Sequence, residues 1–308
     1  MNAQLPNETL YLLNPHANEG YAVRQWKKMQ RRYSFLPQEA IDITKINELA
    51  TYLQKQSPRI IAIAGGDGTI NRVCSAVSKL REKPLLAILP LGFGNALAYC
   101  LGVETIAKAV TVLQHPDKRI TIDLMRTNIP EHDRGVFNAS VGYDARIVFH
   151  RQNHKYIGLR SYILSALASW LAHPEKQITF TIDHAVTLNA KASSLVIANC
   201  PVIGQNYIIS PQARLNDGLL DCSLFSTKYA YLSNLRLRGF KHPFYTELGK
   251  IHFKAQHIRI DGEPLVQIDG DPMVRKDGIE ISILPKSVTF LRNEDAKIEQ
   301  EYLPFVGE

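Results

Sequence analysis

Cysteine is scarce and scattered in this chain. Of 308 residues only Cys74, Cys100, Cys200 and Cys222 are cysteine, and no two form a Cys-x-x-Cys pair. That usage argues against a zinc site and against a disulfide framework, and it suits a reduced, cytoplasmic setting. No apolar run approaches the ~18 residues that cross a bilayer. The first residues, Met1 to Glu8, lack the basic and apolar regions of a secretory leader. No Gly-x-x-x-x-Gly-Lys-[Ser/Thr] loop is present, which disfavours a P-loop nucleotide enzyme. No RNA- or DNA-binding motif occurs and the basic residues are dispersed, so nucleic acid is not expected as a partner. The formal net charge of +7 is equally compatible with nucleotides or an anionic membrane surface. What remains is an ordinary globular composition, 45% hydrophobic and 21% charged, at a length that suits two domains.

The chain is organised around residues 59 to 71. Ile60 to Ala64 is a short, β-branched apolar run that reads as a buried strand. It stops at Gly65-Gly66-Asp67-Gly68-Thr69, after which Ile70, Val73, Ala76, Val77 and Leu80 recur at helical spacing. A glycine turn at a helix start leaves backbone N–H groups that can hold a phosphate, and glycine lets backbone approach a ligand without a Cβ in the way. A carboxylate beside such a site, Asp67, repels phosphate unless a cation lies between them or it accepts a proton. Either arrangement points to Mg²⁺-assisted phosphoryl transfer.

Further strands are expected at 9–14, 40–44, 85–90 and 119–125, with helices near 20–33, 45–56 and 103–113. Strands alternating with helices predict a parallel sheet with right-handed crossovers, whose ligands bind beyond the carboxyl ends of the strands. Asn14, Thr44 and Asp67 all fall at that edge. From about residue 126 the texture changes to strand after strand, at 135–141, 178–182, 186–190, 194–198, 219–225, 257–260, 265–269 and 279–283, which predicts an antiparallel second domain. One helix interrupts it, Ser161 to Ala172, with Tyr162, Leu164, Leu167, Ala168 and Leu171 on a broad apolar face. Packing of that face on the sheet is expected ahead of a membrane-lying role.

The Gly65–Asn71 segment closely resembles the diacylglycerol kinase catalytic-domain family of lipid kinases, which includes bacterial lipid kinases and sphingosine kinases and shares this loop with NAD kinases. Other segments resemble the family in order: Asn14-Pro15 after the first strand, Gly92-Phe93-Gly94-Asn95-Ala96-Leu97-Ala98 after the fourth, Ile122-Asp123-Leu124, Phe137 to Ala145, Ala198-Asn199, Ser210 to Asp221, and Asp269-Gly270-Asp271-Pro272. The resemblance covers about residues 10 to 292. It implies an N-terminal NAD kinase-like α/β domain with a parallel sheet, residues 1–125, and a C-terminal antiparallel β-sandwich domain, 126–284, with the tail 285–308 returning to the first. ATP and Mg²⁺ would lie in the cleft between them.

The resemblance assigns nucleotide contacts to Asn14, Thr44, Gly65, Gly66, Asp67, Gly68, Thr69, Ile70, Asn71, Gly92, Phe93, Gly94 and Asn95. It gives the catalytic metal to Asp67 and Asp123. It gives a structural Mg²⁺ to Asp217 and the carbonyls of Arg214 and Leu219. Asp271, where the family carries glutamate, would take the proton of the lipid hydroxyl, with Glu263 of Asp261-Gly262-Glu263-Pro264 as fallback. Three further departures are Arg72 for glutamate, Phe93 for a hydroxyl residue and Ala96 for aspartate.

The function implied is an ATP- and Mg²⁺-dependent kinase acting on a lipid alcohol at the membrane surface, from the cytoplasm, with the lipid unspecified between diacylglycerol-like and sphingoid-like alcohols. A homodimer is left open. The alternatives are a nucleotide- or lipid-binding protein that has lost catalysis and an NAD kinase.

Overall fold

Ile60–Gly65 holds three isoleucines, two alanines and no polar side chain, and in the computed structural model of the protein it is a strand buried at every residue. The structure describes residues 9–152, 159–172, 175–204, 207–237, 248–262 and 264–297. The described residues divide into two units, one gathering residues up to Asp123, Gly204 and 285–297, the other falling within Leu124–Ile203 and Tyr207–Leu284.

In the first unit β1 (Thr9–Leu13), α1 (Tyr21–Arg32), β2 (Ile41–Asp42), α2 (Leu49–Gln56), β3 (Ile60–Gly65), α3 (Asp67–Ser78) and β4 (Leu85–Pro90) alternate. The strands are ordered β2-β1-β3-β4 and all neighbours are parallel, with Leu12 opposite Ile41, Tyr11 opposite Ala62 and Ala62 opposite Ala87. Near the chain's end, Thr289 and Phe290 add a parallel partner to β4. A parallel sheet is covered on both faces, which is why β3 is apolar throughout rather than alternating. Helix α3 contributes Ile70, Val73, Cys74 and Val77, each fully buried, on the stripe its periodicity predicts.

The second strand is shorter than the 40–44 expected. After Ile41–Asp42 the chain turns into a 3₁₀ helix, Ile43–Lys45. Asp42 causes the switch: its Oδ1 accepts the Thr44 N–H at 3.0 Å and the Thr44 hydroxyl at 2.6 Å, a local bond that competes with the ladder.

The second unit is a β-sandwich. One antiparallel sheet runs Lys250–Ala255, Leu220–Phe225, Ser194–Ala198, Asn138–Gly142, Leu265–Ile268, Asp271–Val274. The other includes Lys176–Ile182, Val186–Ala192, His257–Ile260 and the first part of Ile279–Leu291. Alternation sends Leu220, Cys222 and Leu224 into the core with Leu195, Ile197, Phe180, Ile258 and Ile281. The opposite face of the first sheet offers Val196 and Phe225, which pack on Tyr143 and Tyr231 from the helices Tyr143–Gln152 and Lys228–Asn234.

The helix expected at 161–172 is present as Leu159–Ala172, but its leucine face does not pack on the sheet. Leu164, Leu167 and Leu171 are 43%, 60% and 84% exposed, while Ser165 and Ser169 are fully buried. The side chain of Tyr162 lies outside the described residues. No helix among the described residues is long and apolar enough to cross a membrane.

Candidate active site

The first unit brings two glycine turns into contact. Gly66 caps α3, and Asp67 is the first residue of the helix. The Thr69 and Ile70 N–H groups close back on the Gly66 carbonyl at 2.9 and 3.0 Å. Side chains at this point would have no room. A Cβ on Gly66 would sit 2.9 Å from Gly92 Cα, and one on Gly92 would overlap Gly66 Cα and stand 3.0 Å from Gly66 N. Gly66 and Gly92 are therefore glycine because two backbones touch. Gly68 differs: a Cβ there would meet nothing within 4 Å, so its small size keeps open the space outside the turn.

Several of the expected residues hold this pair of turns together. Asp67 Oδ1 accepts the Ala96 N–H at 2.9 Å, tying the first turn to the second. Asn95, in the left-handed region at φ 52°, grips Gly92 from both sides: its Oδ1 accepts the Gly92 N–H at 3.1 Å and its Nδ2 donates to the Gly92 carbonyl at 2.9 Å. Asn14 Nδ2 donates to Thr69 Oγ1 at 2.9 Å, and the Asn14 N–H donates to the Ala64 carbonyl at 3.0 Å. Asn71 Oδ1 is sheltered from water with no hydrogen-bond partner, an acceptor built into the start of α3. Ile70, by contrast, sends its side chain into the core and has only backbone to offer.

The departures from the family pattern have local partners. Arg72 donates to the Ile46 carbonyl, which anchors α3 to the loop before α2. Ala96 is buried and supplies the amide that Asp67 accepts. Phe93 is 40% exposed at the tip of the second turn. Thr44 is exposed and engaged with Asp42. Asp123 is 1% exposed, and its Oδ1 accepts the Lys286 N–H at 2.7 Å.

In the second unit, Asp269 and Gly270 are the two loop residues of a hairpin in which Ile268 pairs with Asp271. Both have positive φ, 51° and 94°, the requirement of a type I′ turn and the reason for Asp-Gly there. The Asp269 carboxylate folds back and accepts three backbone N–H groups, from Val136 at 2.6 Å, Phe137 at 2.8 Å and Asn138 at 3.0 Å. Burial nonetheless pushes its pKa up to about 6. Gln267 braces the other side: its Oε1 accepts the Gly270 N–H at 2.9 Å, and its Nε2 donates to Ser140 Oγ at 3.0 Å and to Asp144 at 3.3 Å. Asp144 is buried, is also bonded by the Ser140 and Tyr231 hydroxyls, and its pKa is raised by desolvation. Asp271, just past this rigid turn, is 61% exposed and 3.9 Å from His132 Nδ1. Glu263, the fallback, lies outside the described residues.

At the Asp217 turn, Asp217 Oδ1 accepts the Leu219 N–H at 3.1 Å, Gly218 has φ 73°, and Arg214 is exposed. Asp217 Oδ2 faces Lys254 Nζ at 2.7 Å. In the sequence Asp269 and Asp144 stand inside segments that resemble the family but carry no assigned role, and nothing there marks Lys254 or Gln267 beyond a polar residue in a strand.

The model of the diacylglycerol kinase catalytic domain matches residues 8–127, and that of the YegS C-terminal NAD kinase beta sandwich-like domain matches residues 138–292. The chain is 27% identical over 250 residues to a Shewanella frigidimarina protein named "Probable lipid kinase YegS-like", covering 75% of each chain. It is 22% identical over 222 residues to the diacylglycerol kinase of Bacillus subtilis, covering 66% of this chain and 71% of that one. The fold is that of a diacylglycerol kinase crystal structure from Bacillus anthracis str. Sterne, with a TM-score of 0.69 at 19% identity over 94% of this chain and 98% of the other. A glycine-turn α/β unit followed by a β-sandwich, matched by both family models, makes this chain a member of the YegS-like diacylglycerol kinase family, a lipid kinase.

Proposed function

We propose that this lipid kinase transfers the γ-phosphoryl group of ATP to the hydroxyl of a lipid alcohol, with Mg²⁺. The observation that carries the reading is the back-to-back packing of the Gly66 and Gly92 turns with Asp67 between them. The N-terminus of α3 offers the positive end of a twelve-residue helix to phosphate oxygens. Gly68 leaves the approach open, and Asn71 offers an unpaired acceptor. A carboxylate has lone pairs for a cation beside the hydrogen bond Asp67 already accepts, so Asp67 would hold Mg²⁺; Asp123, which the resemblance gives to the same metal, is buried and accepts the Lys286 N–H, which suits bracing that strand. When bound, Mg²⁺ neutralises charge on the phosphate oxygens. Asp271 would accept the lipid hydroxyl proton as the oxygen bonds to the γ-phosphorus and the bond to the bridging oxygen of ADP breaks. The rigid Asp269-Gly270 turn fixes where that carboxylate begins.

The exposed stripe of Leu164, Leu167 and Leu171 supports a peripheral encounter with lipid, since contiguous apolar surface marks interaction sites. The reading is tested by transfer of labelled γ-phosphate from ATP to a panel of diacylglycerol, monoacylglycerol, phosphatidylglycerol and sphingoid bases in mixed micelles. Label in one lipid class names the substrate; ATP binding without transfer to any of them counts against catalysis.

A further inference from the structure

The resemblance leads one to expect a divalent cation at the Asp217–Asp221 turn. The carboxylates there already face a positive charge from the next strand. Lys254 Nζ lies 2.7 Å from Asp217 Oδ2 and 3.5 Å from Asp221 Oδ2. His252 Nε2 lies 2.9 Å from Asp221 Oδ1. The sheet fixes this arrangement, because Asp221 stands opposite Lys254 and Ser223 opposite His252 across the ladder. Asp221 is wholly buried and Asp217 is 20% exposed; a buried carboxylate needs a counter-charge. The remaining Asp217 oxygen accepts the Leu219 N–H. A divalent ion would need a place about 2.0–2.6 Å from these same oxygens, which the ammonium contests by occupying the space and by repulsion.

We infer that Lys254 is the resident cation of this turn: its ammonium bridges Asp217 and Asp221 in place of a divalent ion, and the β-sandwich keeps its turn without metal. The residues present do not fit the structural Mg²⁺ that the resemblance implies. The inference concerns folding and stands apart from the kinase reading, because none of its tests depends on catalysis.

The experiment is thermal unfolding of the nucleotide-free protein after EDTA dialysis, with and without millimolar Mg²⁺ or Ca²⁺. The wild type should melt at one temperature in all three conditions. Lys254→Met should melt lower in EDTA, by on the order of 5 °C, and recover part of the loss with Ca²⁺ or Mg²⁺. Lys254→Arg should stay indifferent to metal. If Lys254→Met does not fold, elemental analysis of dialysed wild type and Asp217→Asn decides, with no bound divalent ion expected in either. Wild-type stabilisation by Mg²⁺ or Ca²⁺ that Asp217→Asn abolishes would overturn the inference, as would one retained ion per wild-type chain that Asp217→Asn lacks.

Discussion

Replacing Gly92 by alanine adds one methyl group where there is no space for it. The new carbon would overlap Gly66 Cα and lie 3.0 Å from Gly66 N and 2.9 Å from Asn95 Oδ1. Ordinary contact is about 3.5–4.0 Å, and two of the three obstacles are backbone. The turns must therefore part by more than about 1 Å, and Asp67, bonded to Ala96 across the gap, must shift with them. Misplacement of about 1 Å at a reacting centre costs ~10²-fold, equivalent to about 2.7 kcal/mol of barrier. Overpacking itself costs about 1–3 kcal/mol, so a melting temperature several degrees lower is expected at this chain length. Gly68→Ala is the control. It lies in the same motif but meets nothing within 4 Å, so its melting temperature should match wild type, and any effect should appear as a raised KM for ATP. The assay is ATP-dependent labelling of lipid together with thermal unfolding of both variants. Wild-type rate and stability in Gly92→Ala would refute the packing argument.

Three other outcomes follow from the second unit. Asp271→Ala, at an exposed position, should lower kcat by about 10²–10⁴-fold, the usual worth of a general base, without changing the melting temperature; unchanged kcat would remove Asp271 from the chemistry. Asp269 binds its proton more tightly folded than unfolded, so its stabilisation is complete below pH 3.8 and is lost as pH rises through about 6. At ~1.4 kcal/mol per pH unit that is about 3 kcal/mol. Asp269→Asn should therefore gain stability relative to wild type between pH 4 and 7.5, a trend that melting curves would show absent if the carboxylate were ionised throughout. Leu167→Glu with Leu171→Glu should reduce co-sedimentation with anionic vesicles while leaving the fold intact, and undiminished sedimentation would assign lipid contact elsewhere.

The parallel sheet was legible because β3 and β4 are apolar runs ending in glycine turns, and both strand bounds and turns fall where the residues indicate. Thr44 was misread as the end of a strand because Asp42, two residues earlier, caps a 3₁₀ turn instead. The strand expected at 279–283 runs on through Pro285 to Leu291. The helix Tyr143–Gln152 follows the expected strand 135–141 with only a weak apolar face to mark it, and the helix Lys228–Asn234 is short, marked only by Thr227, whose side chain accepts the Ala230 N–H. The Leu164, Leu167 and Leu171 stripe showed in the periodicity, but periodicity gives a face and not the side on which water lies. At the site, the glycines and Asp67 were visible as a motif. The backbone N–H groups that hold the Asp269 carboxylate come from residues more than 130 positions away, and no local pattern encodes them.

Asp67 is the residue on which the proposed phosphoryl transfer turns. Labelled γ-phosphate transfer from ATP to lipid alcohols, wild type beside Asp67→Ala and with NAD as an alternative acceptor, tests it in one experiment. Labelled lipid is expected with the wild type, no label on NAD, and loss of the lipid label in Asp67→Ala. Label on NAD, or lipid label undiminished in Asp67→Ala, would contradict the proposed transfer.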